Sequence, residues 1–210
     1  MSVPGRIEAA ALLLSLDPPP WFLRHSRAVA EIAGWLALRA SRAGMEFDRR
    51  LVEAAALLHD VDKLLPADDP AAALPHGEGS AAWLARHGHP ELGAAVTAHP
   101  VTRLLGKPEP DAPWFASLEE RIVAYADKRA GQGIGPMESR FASWRRRYPG
   151  HDESQEFALA HARDLELEVC RAAGVKADDV CRLSWTGRAL AAAHLTVPAT
   201  SMPTNPRADR

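Results

Sequence analysis

Nine histidines are the feature of this sequence that most suggests chemistry, because imidazole binds transition metals and carries protons near neutral pH. Three of them lie on apolar stripes with helical spacing. His25 is one turn from Phe22 and one turn from Val29, so its side chain is expected to point into the protein. His59 and His99 each end a similar stripe on a different predicted helix. Histidines in these positions are candidates for one buried site.

Two aspartates extend this set. Asp127 lies four residues after Val123 on a predicted helix, and a buried carboxylate is costly unless a cation or a donor lies beside it. Asp60 directly follows His59. Adjacent helical residues point about 100° apart, but at a frayed helix end both can turn towards one ion. Lys63 lies one turn beyond His59 and could meet an anionic substrate.

Each of these residues also has a simpler interpretation. A single histidine on an apolar face is more often a core residue that hydrogen-bonds a backbone carbonyl. An inward aspartate near a helix end can cap a neighbouring helix, and a lysine is usually a solvated surface charge. A purely structural helical bundle with buried polar networks is therefore one alternative. The arrangement of the candidates on four different helices favours a functional site.

The elements that position these residues are predicted to be helices. Alanine occurs 40 times and tyrosine only twice, and no alternating run of strand length is present. Residues 117–120 have the spacing of a capping box, which predicts a helix start before Asp127. Further helices are expected over 136–148, 154–173 and 178–194. The sequence predicts an all-α bundle. Residues 1–130 are expected to form a core with an N-terminal helix, residues 131–196 a helical extension packed on that core, and residues 197–210 a disordered tail.

Composition excludes several classes of protein. The 25 basic and 27 acidic residues give a net charge of −2, which makes nucleic-acid binding through bulk positive charge unfavourable. No apolar run approaches the roughly 18 residues that suggest a membrane span, so no membrane partner is expected. Cys170 and Cys181 are too few for a disulfide framework, so we expect buried thiols in a cytoplasmic protein. A homodimer is left open.

The ordered set of candidates resembles a known family. His25, the doublet His59-Asp60 and then Asp127 are similar to the H…HD…D signature of the HD-domain metal-dependent phosphohydrolases. The stretch from His59 to Lys63 resembles the family's HD-x-x-K form. The resemblance covers about residues 20–130. It implies an HD-domain helical bundle, here with extra C-terminal helices, and a site for a divalent metal.

Two further segments resemble the two-metal members of this family. The segments around His76 and His99 are similar to those of the symmetrical dinucleoside tetraphosphatases, which are the nearest subfamily. The resemblance implies one or two ions, and with two ions Asp60 would be the bridge. The implied metal ligands are His25, His59, Asp60, His76, His99 and Asp127.

The resemblance implies hydrolysis of a phosphoester or phosphoanhydride in a nucleotide or another small phosphorylated metabolite. A dinucleoside polyphosphate is the first expectation for the substrate and a nucleoside monophosphate the second. Imidazole and carboxylate ligands without thiolate favour iron or manganese, with cobalt, nickel or magnesium as alternatives. Asp60, Lys63 and Arg103 are the candidate catalytic residues, and Lys63, Arg103 and Lys128 are the candidate substrate contacts. A sensor that binds metal or nucleotide with little turnover is the alternative function.

Other polar residues are expected to have no part in the site. Asp62 could orient a ligand, but a surface carboxylate is the preferred interpretation. His87 and His89 lie in a turn bounded by glycine and proline and are expected to be exposed. The histidines outside the matched segments, which need no function, are His151, His161 and His194.

Overall fold

Nine α-helices make up the described part of the chain. The computed structural model describes residues 3–105, 113–150 and 152–195. The helices are α1 Arg6–Leu14, α2 Pro20–Arg42, α3 Arg49–Leu58, α4 Glu78–Arg86, α5 Gly93–Ala98, α6 Leu118–Arg129, α7 Met137–Arg147, α8 Asp152–Ala173 and α9 Thr186–His194. Short 3-10 turns occur between several of them, and within these ranges there is an isolated bridge but no β-strand. The all-α prediction is confirmed, while the predicted tail 197–210 lies outside the described residues.

Local capping explains where α3 and α6 begin. The carboxylate of Asp48 accepts hydrogen bonds from the backbone N–H groups of Arg50 and Leu51 at the start of α3. The hydroxyl of Ser117 accepts from the N–H of Glu120, 3.2 Å away, as the capping-box spacing predicts. The Glu120 carboxylate accepts from the N–H of Ala116 instead of completing the box at Ser117. Both helix starts are therefore fixed by side chains adjacent to them in sequence.

Helix α2 lies at the centre of the bundle. It packs against α3, α6 and α8, and its apolar stripe is fully buried at residues such as Val29, Ile32 and Leu36. Helix α6 packs in turn against α3 and α5. The C-terminal ends of α3, α5 and α6 carry His59, His99 and Asp127 respectively. The packing of four helices therefore positions the candidate residues that the sequence distributes widely along the chain.

The segment after α8 differs from the predicted helix over 178–194, which was wrong in its first half. After a 3-10 turn the chain forms no helix until α9. The backbone N–H of Leu183 donates to the carbonyl of Glu31 at 2.8 Å. The buried carboxylate of Glu31 also accepts from both Arg182 and the hydroxyl of Thr186. Hydrogen bonds to α2 thus replace the bonds that a continuous helix would have made.

The C-terminal helices contact the rest of the bundle at several places. Helix α7 packs against α6, α8 packs against α2 and α6, and α9 packs against α1. The division into a core and an extension stays a prediction. One cysteine differs from expectation, because Cys170 is buried but Cys181, in the segment between α8 and α9, is exposed. None of the described helices combines the length and the hydropathy that a membrane crossing requires.

The carboxylate of Glu31 should account for much of the attachment of the C-terminal segment. Glu31→Ala removes the acceptor for Arg182 and Thr186, so we expect a loss of about 2 kcal/mol in the free energy of unfolding. Urea denaturation of the variant measures this loss. Glu46→Ala, at an exposed position in the same part of the chain, is the matched control and should unfold like the wild type. Equal midpoints for the Glu31 variant and the wild type would contradict this account.

Candidate metal centre

Four histidines present the same ring nitrogen to one centre. The Nδ1 atoms of His25, His59 and His99 lie 3.0, 2.9 and 2.5 Å from the carbonyl oxygens of Gly131, Ala56 and Val96. The Nδ1 atom of His76 lies 2.8 Å from a carboxylate oxygen of Asp62. Carbonyl and carboxylate oxygens only accept, so each Nδ1 must donate its proton. Each Nε2 therefore carries the lone pair in the neutral ring and is available as a ligand.

One group of ligand atoms joins α2, α3 and α6. His25 Nε2 lies 3.3 Å from Asp127 Oδ1 and 3.6 Å from Asp60 Oδ2. His59 Nε2 lies 3.4 Å from Asp60 Oδ2 and 3.8 Å from Asp127 Oδ1. All four side chains are buried. Two imidazole nitrogens and two carboxylate oxygens thus face one point from three helices.

A second group adjoins the first through Asp60. Its Oδ1 atom, the oxygen turned away from the first group, lies 3.3 Å from both His76 Nε2 and His99 Nε2. The two Nε2 atoms are 3.0 Å apart. Two lone pairs at that separation repel each other unless a proton or a metal ion lies between them. The two oxygens of Asp60 therefore face two different groups, which is the geometry of a bridging carboxylate.

These residues fit a divalent transition metal. His25 Nε2, His59 Nε2 and Asp60 Oδ1 are buried and have no hydrogen-bond partner within the described residues. Buried polar atoms without partners are rare in native proteins, and an ion is one of the few explanations. Ligand atoms about 2.1 Å from an ion stand roughly 3.0 Å apart in an octahedron and roughly 3.4 Å apart in a tetrahedron. The distances of 3.0 and 3.3 Å in the second group match these edges, while those in the first group, from 3.3 to 3.8 Å, are close to the tetrahedral edge or longer.

Asp62 holds His76 in place. Its Oδ2 atom accepts from His76 Nδ1 and, at 2.9 Å, from the backbone N–H of Gly77. Gly77 adopts a φ of +87°, which favours glycine. A Cβ at Gly79 would lie 2.5 Å from the carbonyl oxygen of Ala71, so this glycine is needed for α4 to approach the 3-10 turn that contains Ala71. The preferred interpretation of Asp62 as a surface carboxylate was wrong, because its side chain is turned inward to orient a histidine.

The electrostatics of the centre favour a cation. Burial raises the pKa values of Asp60 and Asp127, but neighbouring histidines outweigh it and hold both well below the usual range. Burial lowers the pKa of His76, but hydrogen bonds to Asp60 and Asp62 raise it to about 9. Burial alone dominates at His99 and lowers its pKa to about 4. The carboxylates are thus ionised at neutral pH, and a metal ion competes with protons for the imidazoles.

The three predicted substrate-contacting cations lie in different environments. Lys63 Nζ lies 2.7 Å from Asp60 Oδ2, and its side chain is 45% exposed, so it stands at the edge of the centre. Arg103 is exposed and donates to the backbone carbonyl of Trp114. Lys128 is fully buried and donates to the carbonyl of His99, and burial lowers its pKa to about 8. Their roles as substrate contacts stay predictions.

Two further residues differ from what the sequence suggests. His89, expected to be exposed, is buried, and its ring faces Glu8 and Glu91. His87 is exposed, as expected, and its ring stacks on Trp83.

Arg140, which the sequence did not indicate as a site residue, lies with Nη2 3.6 Å from Asp127 Oδ1. No helical stripe points to Arg140, because its proximity depends on how α7 folds back on α6. The only sequence signal for Arg140 is that it lies in a polar stretch soon after Asp127, the last aspartate of the proposed ligand set.

Fold and site together define an all-α protein whose histidine and aspartate cluster could hold one or two metal ions. The HD-domain family model matches residues 22–131, which is more than half of the chain. The chain therefore belongs to the HD-domain family, whose members are generally metal-dependent hydrolases. No curated protein and no solved structure matches the chain.

The contact between Asp62 and His76 gives a prediction about metal affinity. Asp62→Ala leaves His76 without the acceptor that fixes its tautomer, so the ion held by His76, His99 and Asp60 should bind about 10- to 100-fold more weakly. Competition with a chromogenic chelator measures this affinity. Asp68→Ala is the matched control, since Asp68 is exposed and lies on the same segment. Unchanged binding by a correctly folded Asp62 variant would show that His76 needs no such orientation.

Proposed function

We propose that the protein is a divalent-metal-dependent phosphohydrolase that cleaves a phosphoester or phosphoanhydride of a nucleotide or another small phosphorylated metabolite. The observation that carries this proposal is the pair of ligand groups sharing Asp60. A divalent cation bound there lowers the pKa of a water molecule and neutralises charge on a phosphoryl group. Such chemistry suits phosphate esters and anhydrides, whose hydrolysis needs little covalent participation from the protein.

The protein's own residues supply orientation and charge. Asp60 stays ionised at neutral pH, because the surrounding histidines hold its pKa low, so it can face both ligand groups as a carboxylate. Lys63 contacts Asp60 with an ammonium that is half exposed, and it can donate to a phosphoryl oxygen that reaches the centre. Lys128, which donates to the carbonyl of His99, supports the loop that carries this ligand. Arg103, whose Nε donates to the backbone carbonyl of Trp114, is proposed as a further contact of the substrate.

The ligand set supports iron or manganese over a structural zinc ion. Both groups combine imidazole nitrogen with carboxylate oxygen, and neither contains a thiolate, which structural zinc sites commonly use. Cobalt, nickel and magnesium stay compatible with the same ligands. The proposal includes two ions, because Asp60 presents one oxygen to each group.

For the substrate we propose a dinucleoside polyphosphate first and a nucleoside monophosphate second. The support is the resemblance of the segments around His76 and His99 to those of the symmetrical dinucleoside tetraphosphatases, together with the contact of both histidines with Asp60. A centre with two ions and a flanking lysine can neutralise several negative charges, as a polyphosphate requires. A metal- or nucleotide-binding sensor with little turnover is the alternative.

Phosphate release from a panel of nucleotides tests the proposed function. The manganese-loaded wild type should hydrolyse at least one member of the panel, and Asp60→Ala should lose activity by at least about 10³-fold, because both ligand groups lose their shared carboxylate. Asp68→Ala controls for the loss of an aspartate at an exposed position. Activity that survives Asp60→Ala would contradict the mechanism. Nucleotide binding by the wild type without phosphate release would support the sensor.

A further inference from the structure

Helix α7 brings an arginine to the metal centre from outside the matched HD domain. Arg140 Nη2 lies 3.6 Å from Asp127 Oδ1, and Asp127 Oδ1 is the oxygen that also faces His25 and His59. The family match ends at residue 131, before α7 begins. Arg140 is therefore a contribution of the C-terminal helices of this chain to the first ligand group.

The N–H groups of the Arg140 guanidinium make no hydrogen bond within the described residues, and its Nε atom is buried without a partner. The separation from Asp127 is too long for a hydrogen bond, so this contact is a loose ion pair. The guanidinium carbon lies 5.0 Å from the centre of the Trp144 ring, which holds the side chain in a defined orientation. An oriented arginine with unused donors is suited to bind an anion.

The position of Arg140 also leaves a path for a ligand. Its side chain is 25% exposed, whereas Asp127 beside it is 8% exposed. Arg129, which lies two residues after Asp127 on α6, differs in this respect. Its guanidinium is buried and donates to Tyr125, Glu166 and backbone carbonyls, so its donors are already used. Among these two arginines, Arg140 is the one with both free donors and access to solvent.

We propose that Arg140 binds the phosphoryl oxygens of the substrate at the metal centre, so that α7 completes a phosphate site that the HD domain alone leaves open. This inference rests on the proposed function for the nature of the substrate. Arginine donates two parallel hydrogen bonds to a phosphoryl group, which both holds and orients it. Arg140 approaches from the Asp127 side of the centre and Lys63 from the Asp60 side. The two cations thus flank the site where the phosphoryl group would bind.

Titration of the manganese-loaded protein with inorganic phosphate tests the proposal without requiring turnover. Arg140→Gln should weaken phosphate binding about tenfold, the loss expected for one charge-assisted contact. Arg140→Lys should lie between the variant and the wild type, because lysine keeps the charge but not the paired donors. Arg146→Gln is the matched control: it removes the same charge from an exposed position on another face of α7 and should bind phosphate like the wild type.

The manganese affinity of the same variants separates phosphate binding from a structural role. A cation beside Asp127 repels a metal ion, so Arg140→Gln should bind manganese as tightly as the wild type or more tightly. Weaker manganese binding in this variant would show that Arg140 only positions Asp127 and would overturn the proposal. Equal phosphate affinity in the variant and the wild type, including no binding by either, would overturn it as well.

Nucleotide hydrolysis measured on the same proteins distinguishes this inference from the proposed function. If Arg140→Gln lowers phosphate affinity but the wild type releases phosphate from no nucleotide, Arg140 is a phosphate ligand and the proposed function fails. If the wild type hydrolyses nucleotides and Arg140→Gln leaves phosphate affinity unchanged, the proposed function stands and this inference fails.

Discussion

The hydrogen bonds at the Nδ1 atoms of four histidines are the interaction on which the centre depends. In each bond the ring donates its proton from Nδ1, on the side away from the cluster, so that the lone pair of Nε2 points towards the cluster. Three of the acceptors are backbone carbonyls, so the orientation of these rings is set by helix ends and not by further side chains. The same bonds leave the buried Nε2 atoms of His25 and His59 without a partner within the described residues, and a metal ion would satisfy both lone pairs.

The bundle is arranged so that these helix ends meet. Helix α3 ends immediately before His59, α5 ends before His99, and Asp127 lies in the last turn of α6. Because His59 is the last residue before the chain turns, Asp60 is free of helical constraints and can present one oxygen to each ligand group. The ionised carboxylates repel each other, and Lys63, Lys128 and the imidazoles in their protonated form offset that repulsion when no metal ion does so.

Much of this centre follows from the sequence, and the remainder depends on tertiary contacts. Helical periodicity places His25, His59, His99 and Asp127 inward, and the structure brings them together. His76 lies on no stripe, and only the family resemblance indicates it. Arg140 is missed because its approach depends on the packing of α7 against α6. The error in 178–194 has the same origin, since hydrogen bonds to Glu31 on α2 override local helical preference.

Anomalous diffraction from crystals of the manganese-loaded protein would locate the ions that Asp60 is proposed to bridge. We expect two peaks, one about 2.0–2.3 Å from His25 Nε2 and His59 Nε2 and the other at the same distance from His76 Nε2 and His99 Nε2, with Asp60 contacting both. Manganese bound elsewhere, or through Nδ1 with the carbonyl hydrogen bonds broken, would contradict the account.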